Sequence, residues 1–427
     1  MAITTSKAYR NQLLYCVFVR NYSQEGTFEA LRADLPRIKD LGTDIIWLMP
    51  IHPLGEKARK GSLGSPYAIR DYRGINPEFG NLEDFQNLVE DVHNHGMKCI
   101  IDVVYNHTSP DSWLAENHPE WFYHKPDGSF GNHVGDWTDI IDLDYTNPDL
   151  WDYQIETLKM WAKYVDGFRC DVAPLVPLAF WLKAREEVEK IHPGCMWLAE
   201  SVEPEFIRMI RAAGLTAHSD SELYQAFDVC YDYDILAEYQ GVFTGAVSLR
   251  TYAEAVTRQE AIYPGNYVKL RCLENHDRAR AAHLMPDDRI LRNWTAFNYF
   301  QKGITMLYAG QEVCAPHTPS LFNKDTIQWN TGKDLTPLMR RLAEIKRDPV
   351  FADSSYEVKA LPREILVATH ESREGKLVGV FSTRGEASLV ETGLADGTYV
   401  NLISSENIDV RDGKAPTHGE PIILKSF

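Results

Sequence analysis

The chain of 427 residues is too long for one average domain but fits a large barrel with an appended domain. Hydrophobic residues make up 44% and aromatic residues 11% of the sequence, which supplies a large core and excludes wholesale disorder. The formal net charge of −17 argues against nucleic acid or an anionic membrane surface as the partner, whereas a neutral substrate is indifferent to it.

Nothing in the sequence predicts export or a membrane anchor. Residues 1–10 are polar and lack the apolar core of a signal peptide, and no apolar run reaches the roughly 18 residues that span a bilayer. The seven cysteines show no metal-ligand spacing, and four of them fall in predicted buried strands: Cys16, Cys99, Cys170 and Cys272. We therefore expect unpaired core thiols, no membrane partner and a cytoplasmic location, with the oligomeric state left open.

Apolar strands alternate with amphipathic helices along most of the chain. The predicted strands cover residues 13–19, 44–48, 98–104, 167–171, 196–199, a weaker 225–229, 267–273 and 304–308. The predicted helices cover residues 27–42, 82–95, 179–190, 204–213, 252–262, 290–301 and 335–345. About eight strand–helix units predict an α/β fold, a closed (β/α)8 TIM barrel. An open, doubly wound sheet is the alternative, but no glycine-rich phosphate turn follows the first strand.

Two stretches depart from this alternation. Residues 106–145 combine aromatic residues with many Asp, Gly and His, and predict a short subdomain inserted after the third strand. From about Tyr356 onwards, short alternating runs separated by Gly, Asp and Glu turns predict an antiparallel β domain. We therefore assign the barrel to residues 1–105 and 146–350, the inserted subdomain to 106–145 and the C-terminal all-β domain to 351–427.

Charged and polar side chains gather at the carboxyl ends of four predicted strands, the edge of a (β/α)8 barrel where active sites lie. Each of these residues alone would more often have a structural role, with its hydrogen bonds made inside the protein. It is costly, however, to bring carboxylates, histidines and an arginine together at one rim without a function. These residues are His107 after the third strand, Arg169 and Asp171 at the fourth, Glu200 at the fifth, and His276 and Asp277 at the seventh.

Paired carboxylates without a metal cage suit glycoside cleavage, because one attacks the sugar carbon while a protonated partner donates to the leaving oxygen. Asp171 shares a strand face with Arg169, whose charge favours the ionised form and the role of nucleophile. Glu200 ends an apolar Trp-Leu-Ala run, where burial raises the pKa of a carboxyl and keeps a proton available at neutral pH. Asp277, beside His276, is the candidate to stabilise a cationic transition state.

Four segments in chain order resemble the four short motifs of the α-amylase family of glycoside hydrolases: residues 102–107, 167–173, 197–200 and 275–277. Supporting matches are Ser65-Pro66-Tyr67, Asp142-Leu143-Asp144-Tyr145 and Tyr308-Ala309-Gly310-Gln311-Glu312, while Asp171-Val172-Ala173 is similar to neopullulanase-like and maltogenic members. The resemblance implies a retaining glycoside hydrolase that forms a covalent glycosyl-enzyme intermediate. Its substrates would be α-glucosidic bonds, most often α-1,4, in maltooligosaccharides or starch-type glucans.

The same resemblance implies a role for each site residue. Asp171 would be the nucleophile, Glu200 the acid/base and Asp277 the stabiliser of the transition state. The residues that would contact the sugar are His107, Arg169 and His276 at the cleavage point and Tyr67, stacked beneath it. Retaining chemistry would hold the carboxyl groups of the nucleophile and the acid/base about 5–5.5 Å apart.

The chain departs from many family members just after the nucleophile. Those members carry Lys-His three and four residues after it, where the pair lines a leaving-group subsite, but Pro174 and Leu175 stand at these positions here. In those members the His region also helps to hold a structural calcium, so no calcium is required in this chain. Asn106 and Asp142 could nevertheless supply oxygen ligands to one. No other cofactor is expected.

Three other functions stay open. A glucan transferase would use the same chemistry, with a sugar rather than water intercepting the intermediate. A metal-dependent barrel lyase would use the carboxylates as Mg²⁺ ligands. A non-catalytic carbohydrate-binding relative would typically lack one of the catalytic carboxylates, and all three are present. A small subdomain core is favoured over stacking on sugars for the aromatic residues of the insertion: Trp113, Trp121, Tyr123 and Trp137.

Overall fold

The computed structural model describes residues 4–426. Its strands are β1 (Leu13–Val17), β2 (Ile45–Leu48), β3 (Lys98–Val103), β4 (His107–Thr108), β5 (Ile141–Asp142), β6 (Gly167–Cys170), β7 (Met196–Ala199), β8 (Val229–Tyr231), β9 (Lys269–Arg271), β10 (Ile304–Tyr308), β11 (Ser355–Leu361), β12 (Ile365–Ser372), β13 (Gly375–Ser382), β14 (Ala387–Glu391), β15 (Gly397–Val400), β16 (Asn407–Val410), β17 (Lys414–His418) and β18 (Ile422–Ser426). Its α-helices are α1 (Val19–Tyr22), α2 (Phe28–Arg32), α3 (Leu35–Asp40), α4 (Leu82–Asn94), α5 (Trp113–Asn117), α6 (Pro148–Trp161), α7 (Leu178–Glu189), α8 (Pro204–Ala212), α9 (Asp220–Leu223), α10 (Leu236–Thr244), α11 (Leu249–Ile262), α12 (Ala281–Leu284), α13 (Asp288–Phe300) and α14 (Thr336–Lys346). Short 3-10 helices cover Lys7–Asn11, Pro119–Trp121, Ala173–Leu175, Tyr233–Ile235 and Pro349–Phe351.

Parallel strands close into a barrel in the order β1-β10-β9-β8-β7-β6-β3-β2, which confirms the predicted TIM fold. The strand β1 pairs with both β2 and β10, so the first and last barrel strands complete the ring. Every residue of β1, β2, β6, β7 and β10 is buried, as expected for parallel strands enclosed by helices. The closed ring gathers the carboxyl ends of its strands at one pole.

Several predicted elements are corrected by the structure. The strand β1 ends at Val17, because the chain turns into helix α1 shortly afterwards. The helix predicted over residues 27–42 is divided into α2 and α3, since Pro36 lies in the first turn of α3 and cannot continue a preceding helix. The weak strand predicted over residues 225–229 is β8, which begins only at Val229, where pairing with β7 starts.

The stretches that depart from the barrel pattern form separate sheets. In the inserted segment, β4 and β5 make a two-stranded antiparallel ladder. The C-terminal region has the antiparallel sheet β11-β12-β13-β18 and the pairs β14-β17 and β15-β16, which confirms the predicted β domain. Alternate residues of β12 divide between two cores: Leu366 and Ala368 pack with the barrel, whereas Ile365 and Val367 pack within the C-terminal domain. The residue limits assigned above to the domains stay a prediction.

The cysteines are all buried and free, as predicted for core thiols. Cys16, Cys99 and Cys170 lie in β1, β3 and β6, whereas Cys272 follows directly after β9. Within residues 4–426, no helix combines the length and the apolar character needed to cross a membrane. Of the polar amino end, residues 1–3 lie outside the described residues, and the cytoplasmic location stays a prediction.

A buried carboxylate ties the last barrel strand to the first. Glu312, just beyond β10, is fully buried. Its Oε1 atom accepts hydrogen bonds from Tyr15 Oη of β1 at 2.6 Å and from Arg37 Nη1 of α3 at 2.7 Å. Its Oε2 atom accepts from Gly310 N at 3.0 Å. Because β1 and β10 meet where the ring closes, this cluster fixes the seam of the barrel.

Glu312→Ala should lower the free energy of unfolding by about 2–4 kcal/mol, because the Tyr15 hydroxyl loses its acceptor and Arg37 loses its buried partner. Urea denaturation followed by circular dichroism measures the change. Glu254→Ala is the matched control, because Glu254 and its partner Arg250 are 64% and 80% exposed and such pairs contribute about 0–1 kcal/mol. Equal losses in the two variants would contradict a special role for the seam.

Candidate active site

The register of the parallel strands places the acidic residues at one pole. Asp102 of β3 lies beside Arg169 of β6 in the ladder. Asp171 and Glu200 follow directly after β6 and β7, which are themselves paired, so the two residues leave the barrel side by side. The backbone ladder continues through them, with Asp171 N donating to a carbonyl of β3 at 2.9 Å and Glu200 N to one of β6 at 3.0 Å.

The Arg169 guanidinium lies at the centre of the site and has no exposed surface. Its Nη1 atom donates to Asp102 Oδ1 and to Asp171 Oδ1, each at 2.9 Å. Its Nη2 atom forms an ion pair with Glu200 Oε1 at 2.8 Å, and its Nε atom donates to Tyr231 Oη at 3.2 Å. One cation therefore faces three buried carboxyl groups, which favours retention of a proton on at least one of them.

Burial governs the proton affinity of these carboxyl groups. Burial raises the pKa of Asp171 to about 6 and that of Asp102 to about 6, although Arg169 opposes both increases. The predicted effect of Arg169 on Asp171 is therefore present but is outweighed by burial. Burial raises the pKa of Glu200 further, to about 8, because the negative charges of Asp171 and Asp277 add to it against Arg169. At pH 7 these pKa values favour the ionised form of Asp171 and the protonated form of Glu200.

A strained residue lies between the two acids. Val172 follows Asp171 with a φ of 34° and a ψ of 45°, a left-handed conformation that β-branched residues rarely adopt. This conformation directs Val172 N toward Glu200, whose Oε2 accepts its hydrogen bond at 2.8 Å. Backbone strain of about 1–3 kcal/mol persists only where the surrounding structure over-determines it, and such residues concentrate at functional sites.

A second series of polar contacts begins in the loop after β9. His276 Nε2 lies 2.9 Å from Asp277 Oδ2 and 2.7 Å from Tyr67 Oη. Tyr67 Oη in turn donates to Asp102 Oδ2 at 3.4 Å, and this bond connects the series of contacts to the Arg169 cluster. Burial disfavours the charged form of both His276 and Asp277, but their ion pair prevails: it raises the pKa of His276 and lowers the pKa of Asp277. Asp277 is thus held as an anion, with 46% of its side chain exposed.

These groups border one cavity of about 340 Å³. The predicted site residues that line it are Tyr67, His107, Asp171, Glu200 and Asp277. Burial lowers the pKa of His107 to about 4, so its ring is neutral at pH 7, and its Nδ1 atom lies 3.2 Å from Asn106 Nδ2. Arg169 and His276, with 0% and 1% of their side chains exposed, lie behind the carboxylates and position them.

Part of the cavity wall is not marked by any sequence motif. Trp137 of the inserted segment lines the cavity and packs on the His107 ring with centroids 5.6 Å apart, so it is more than the subdomain-core residue that the sequence favours. Lys60 and Asp139 also line the cavity and form an ion pair at 2.9 Å. Asp102 belongs to a matched motif, yet only the strand register identifies it as a third acid of the cluster.

The predicted calcium ligands come together but are already engaged. Asn106 Nδ2 lies 3.5 Å from Asp142 Oδ1, at the point where β4 and β5 pair. The other oxygen of Asp142 accepts from His133 N and faces its ring Nδ1, both at 2.7 Å. Between residues 4 and 426, no group of three or more His, Cys, Asp or Glu side chains is arranged to hold a metal ion. Asn106 and Asp142 are two of the about 6–8 oxygen ligands that calcium takes, and calcium binding at this position stays a prediction.

Comparison with known families accounts for nearly the whole chain. The family described as "Alpha amylase, catalytic domain" matches residues 18–120 and 110–355. The family described as "Bacterial Alpha amylase C-terminal domain" matches residues 357–424. The first match covers more than half of the chain and includes every catalytic residue proposed above, so it confirms the resemblance stated from the motifs.

Curated relatives match the chain over only part of their own length. The chain is 32% identical over 228 residues to an alpha-1,4-glucan:maltose-1-phosphate maltosyltransferase of Myxococcus xanthus, covering 47% of this chain and 34% of that protein. It is 35% identical over 251 residues to the protein of the same name from Pseudomonas aeruginosa, covering 53% of this chain and 37% of that protein. The chain thus spans about a third of the length of these relatives.

Solved structures match the chain from end to end. An alpha-amylase from Lactobacillus plantarum is 49% identical with a TM-score of 0.96, and the match covers 99% of this chain and 100% of that one. A noncanonic maltogenic alpha-amylase, AmyB, from Thermotoga neapolitana is 31% identical with a TM-score of 0.87, covering 100% and 99% of the two chains. Barrel and C-terminal β domain therefore recur together in both structures.

Neither excess CaCl₂ nor EDTA should shift the midpoint of thermal unfolding, because His133 already engages Asp142. A calcium ion present at 100 times its Kd would stabilise the folded state by about 2.7 kcal/mol, a change that scanning calorimetry detects. A calcium-dependent rise of the wild-type midpoint would contradict this account.

Proposed function

The chain belongs to the α-amylase family, and on this premise we propose that it is a retaining glycoside hydrolase of maltooligosaccharides or starch-type glucans. It cleaves α-glucosidic bonds, most often α-1,4, through a covalent glycosyl-enzyme intermediate on Asp171. The observation that carries the proposal is geometric: Asp171 and Glu200 are paired with one buried guanidinium and line one cavity together with Asp277. Burial raises the pKa of Glu200 to about 8, above that of Asp171, which it raises to about 6. The α-amylase and the maltogenic α-amylase among the similar structures support this substrate class.

Two carboxyl groups with different proton affinities suit the two halves of a double displacement. Ionised Asp171 attacks the anomeric carbon while protonated Glu200 gives its proton to the departing glycosidic oxygen. Glu200, now an anion, removes a proton from a water molecule whose oxygen displaces Asp171 from the sugar carbon. Glu200 regains its proton, Asp171 returns as a carboxylate, and the sugar leaves with its original anomeric configuration.

The remaining cavity residues stabilise and orient the sugar. Asp277, kept anionic by His276, faces the positive charge that develops on the ring in an oxocarbenium-like transition state. Tyr67 and Trp137 supply aromatic surface on which the apolar faces of a sugar pack. The neutral His107 ring exchanges hydrogen bonds with sugar hydroxyls.

Glucan transfer is the second candidate, because it uses the same intermediate. The curated relatives are maltosyltransferases, which favours it, although the chain spans about a third of their length. In transfer a sugar hydroxyl replaces the water molecule, and Glu200 takes its proton instead. Pro174 and Leu175, which replace the Lys-His pair of many family members, alter the side of the cavity where an acceptor sugar would bind.

The metal-dependent lyase considered from the sequence is not supported. Asp171 and Glu200 are paired with Arg169, whereas a Mg²⁺ site directs carboxylate oxygens toward the ion. Family membership instead associates the chain with glycoside hydrolases and the transferases related to them.

Asp171→Asn should lower kcat/KM on p-nitrophenyl α-maltoside by at least about 10⁴-fold, because an amide cannot form the glycosyl ester. The circular dichroism spectrum should stay that of the wild type, since the Asn side chain has the same size and its carbonyl can still accept from Arg169. Asp152→Asn is the control, because Asp152 is a 71% exposed carboxylate on α6 and should keep full activity. Activity like that of the wild type in Asp171→Asn would refute the assignment.

The pH profile of kcat/KM should be bell-shaped, with limbs near pH 6 and pH 8. Below the pKa of about 6, Asp171 gains a proton and stops being a nucleophile, and above about 8 Glu200 loses the proton that the leaving oxygen needs. Glu200→Gln should lack the alkaline limb on an α-maltosyl fluoride, whose leaving group needs no proton. An alkaline limb that survives in this variant belongs to another group and contradicts the assignment.

Incubation with maltotriose distinguishes hydrolysis from transfer. Hydrolysis yields only glucose and maltose, whereas transfer yields products longer than the substrate. We expect the shorter products to dominate in a chromatographic time course at low substrate concentration. Longer products that appear first would favour the transferase.

A further inference from the structure

Three segments from different parts of the chain meet at the catalytic cavity. The loop after β2 contributes Lys60, the inserted segment contributes Asp139, and the loop after β10 contributes Phe322. Lys60 Nζ lies 2.9 Å from Asp139 Oδ1 and donates to Asp136 O at 3.3 Å. The same ammonium lies 6.0 Å from the centre of the Phe322 ring. Lys60 therefore contacts both neighbouring segments at once.

The loops after β2 and β10 form one rigid side of the cavity. Leu63 N donates to Phe322 O at 3.0 Å. The side-chain oxygen Asn323 Oδ1 accepts from Ser62 N at 3.0 Å and from Ser62 Oγ at 2.9 Å. The buried Arg20 guanidinium donates to one carbonyl of each loop, at 2.9 and 3.1 Å. These bonds hold the two loops together independently of Lys60.

Gly61 fixes the position of Lys60 on that side. It has a φ of +64°, and a Cβ atom added to it would lie 2.6 Å from both Cβ and O of Phe322. Only a glycine allows the two loops to approach this closely. The backbone next to Lys60 is therefore pressed against the loop after β10, and the Lys60 side chain extends from there toward the inserted segment.

The ion pair crosses from this rigid side to the inserted segment. Asp139 is 7% exposed and Lys60 34% exposed, so the pair is partly shielded from solvent. Lys60 shares its loop with Tyr67, the aromatic ring that packs on the sugar being transferred to Asp171. Asp171 and Glu200 line the same cavity as the pair. The pair therefore joins two walls of the cavity in which the bond is cleaved.

We propose that the Lys60–Asp139 ion pair is a specificity-determining clasp that closes one end of the cavity and restricts cleavage to short saccharides and chain ends. The inference rests on the proposed function. With the pair formed, the cavity of about 340 Å³ is near the lower end of the ~300–1,000 Å³ that enclose a single small ligand. A glucan chain cannot continue past the pair, whereas its removal opens a path between the rigid side and the inserted segment.

The test compares kcat/KM on amylose with kcat/KM on p-nitrophenyl α-maltoside in the wild type, Lys60→Met, Asp139→Asn and the double variant. The ratio of the two values cancels a change in the chemistry at Asp171, because both substrates form a glycosyl ester on this residue. Each single variant should raise the amylose-to-maltoside ratio by about three- to tenfold, the range expected of a partly shielded ion pair. The double variant should raise it no further, because both substitutions remove the same contact.

Lys183→Met is the matched control. Its ammonium pairs with Asp152 at 2.8 Å on the helical surface, where the two side chains are 47% and 71% exposed, so the ratio should not change. Lys60 is itself partly exposed, so Lys60→Met decides the question even if Asp139→Asn does not fold.

An unchanged ratio in Lys60→Met would overturn the clasp. An equal rise in Lys183→Met, or a double variant whose effect is the product of the single effects, would overturn it as well. If the wild type cleaves the maltoside and Lys60→Met has the same amylose-to-maltoside ratio, the clasp is refuted and the proposed function is not. A wild type that cleaves neither substrate defeats the proposed function together with the clasp.

Discussion

A single guanidinium placed among three buried carboxyl groups is the interaction on which the site depends. Without Arg169 the desolvated acids would all favour their protonated forms, and with a cation for each acid none would keep a proton near neutral pH. Burial raises the pKa of Glu200 above that of Asp171, which favours an ionised Asp171 and a protonated Glu200, the combination that a double displacement needs. Strand register creates it, because adjacent parallel strands bring Asp102, Arg169 and Asp171 together.

The rest of the fold shields this cluster from solvent and restrains its side chains through hydrogen bonds. Val172 stays in a left-handed conformation because its N–H is committed to Glu200, so the backbone itself orients the acid. At the seam, buried Glu312 ties β10 to β1 and thereby closes the ring that encloses the cluster. The inserted segment adds Trp137 to the cavity wall. Rigid strands therefore carry the chemistry, while the loops around them shape the access to it.

The barrel and the position of the candidate catalytic acids are predictable, because periodicity marks the strands, and Asp171 and Glu200 each directly follow one of them. Asp171 and Glu200 also lie in short motifs with a family resemblance, and the match over residues 18–355 confirms that resemblance. The Lys60–Asp139 pair is not predictable, because its partners lie far apart in loops where no pattern relates one charge to another. Burial affects the pKa of Asp171 more than Arg169 does, and this too is not predictable, since a sequence gives the neighbours of a carboxyl but not its solvent exposure.

The contacts of the predicted calcium ligands cannot be derived from the sequence either. Asn106 and Asp142 lie together as their positions predict, but the ring of His133 takes up Asp142, and only the folded inserted segment reveals that contact. The unequal protonation of the two acids is measured most directly by difference infrared spectroscopy at pH 7, where a protonated carboxyl gives its own C=O stretching band. The account predicts a band that is lost in Glu200→Gln and kept in Asp171→Asn. A band that is lost in Asp171→Asn instead, or that is absent from the wild type, would contradict it.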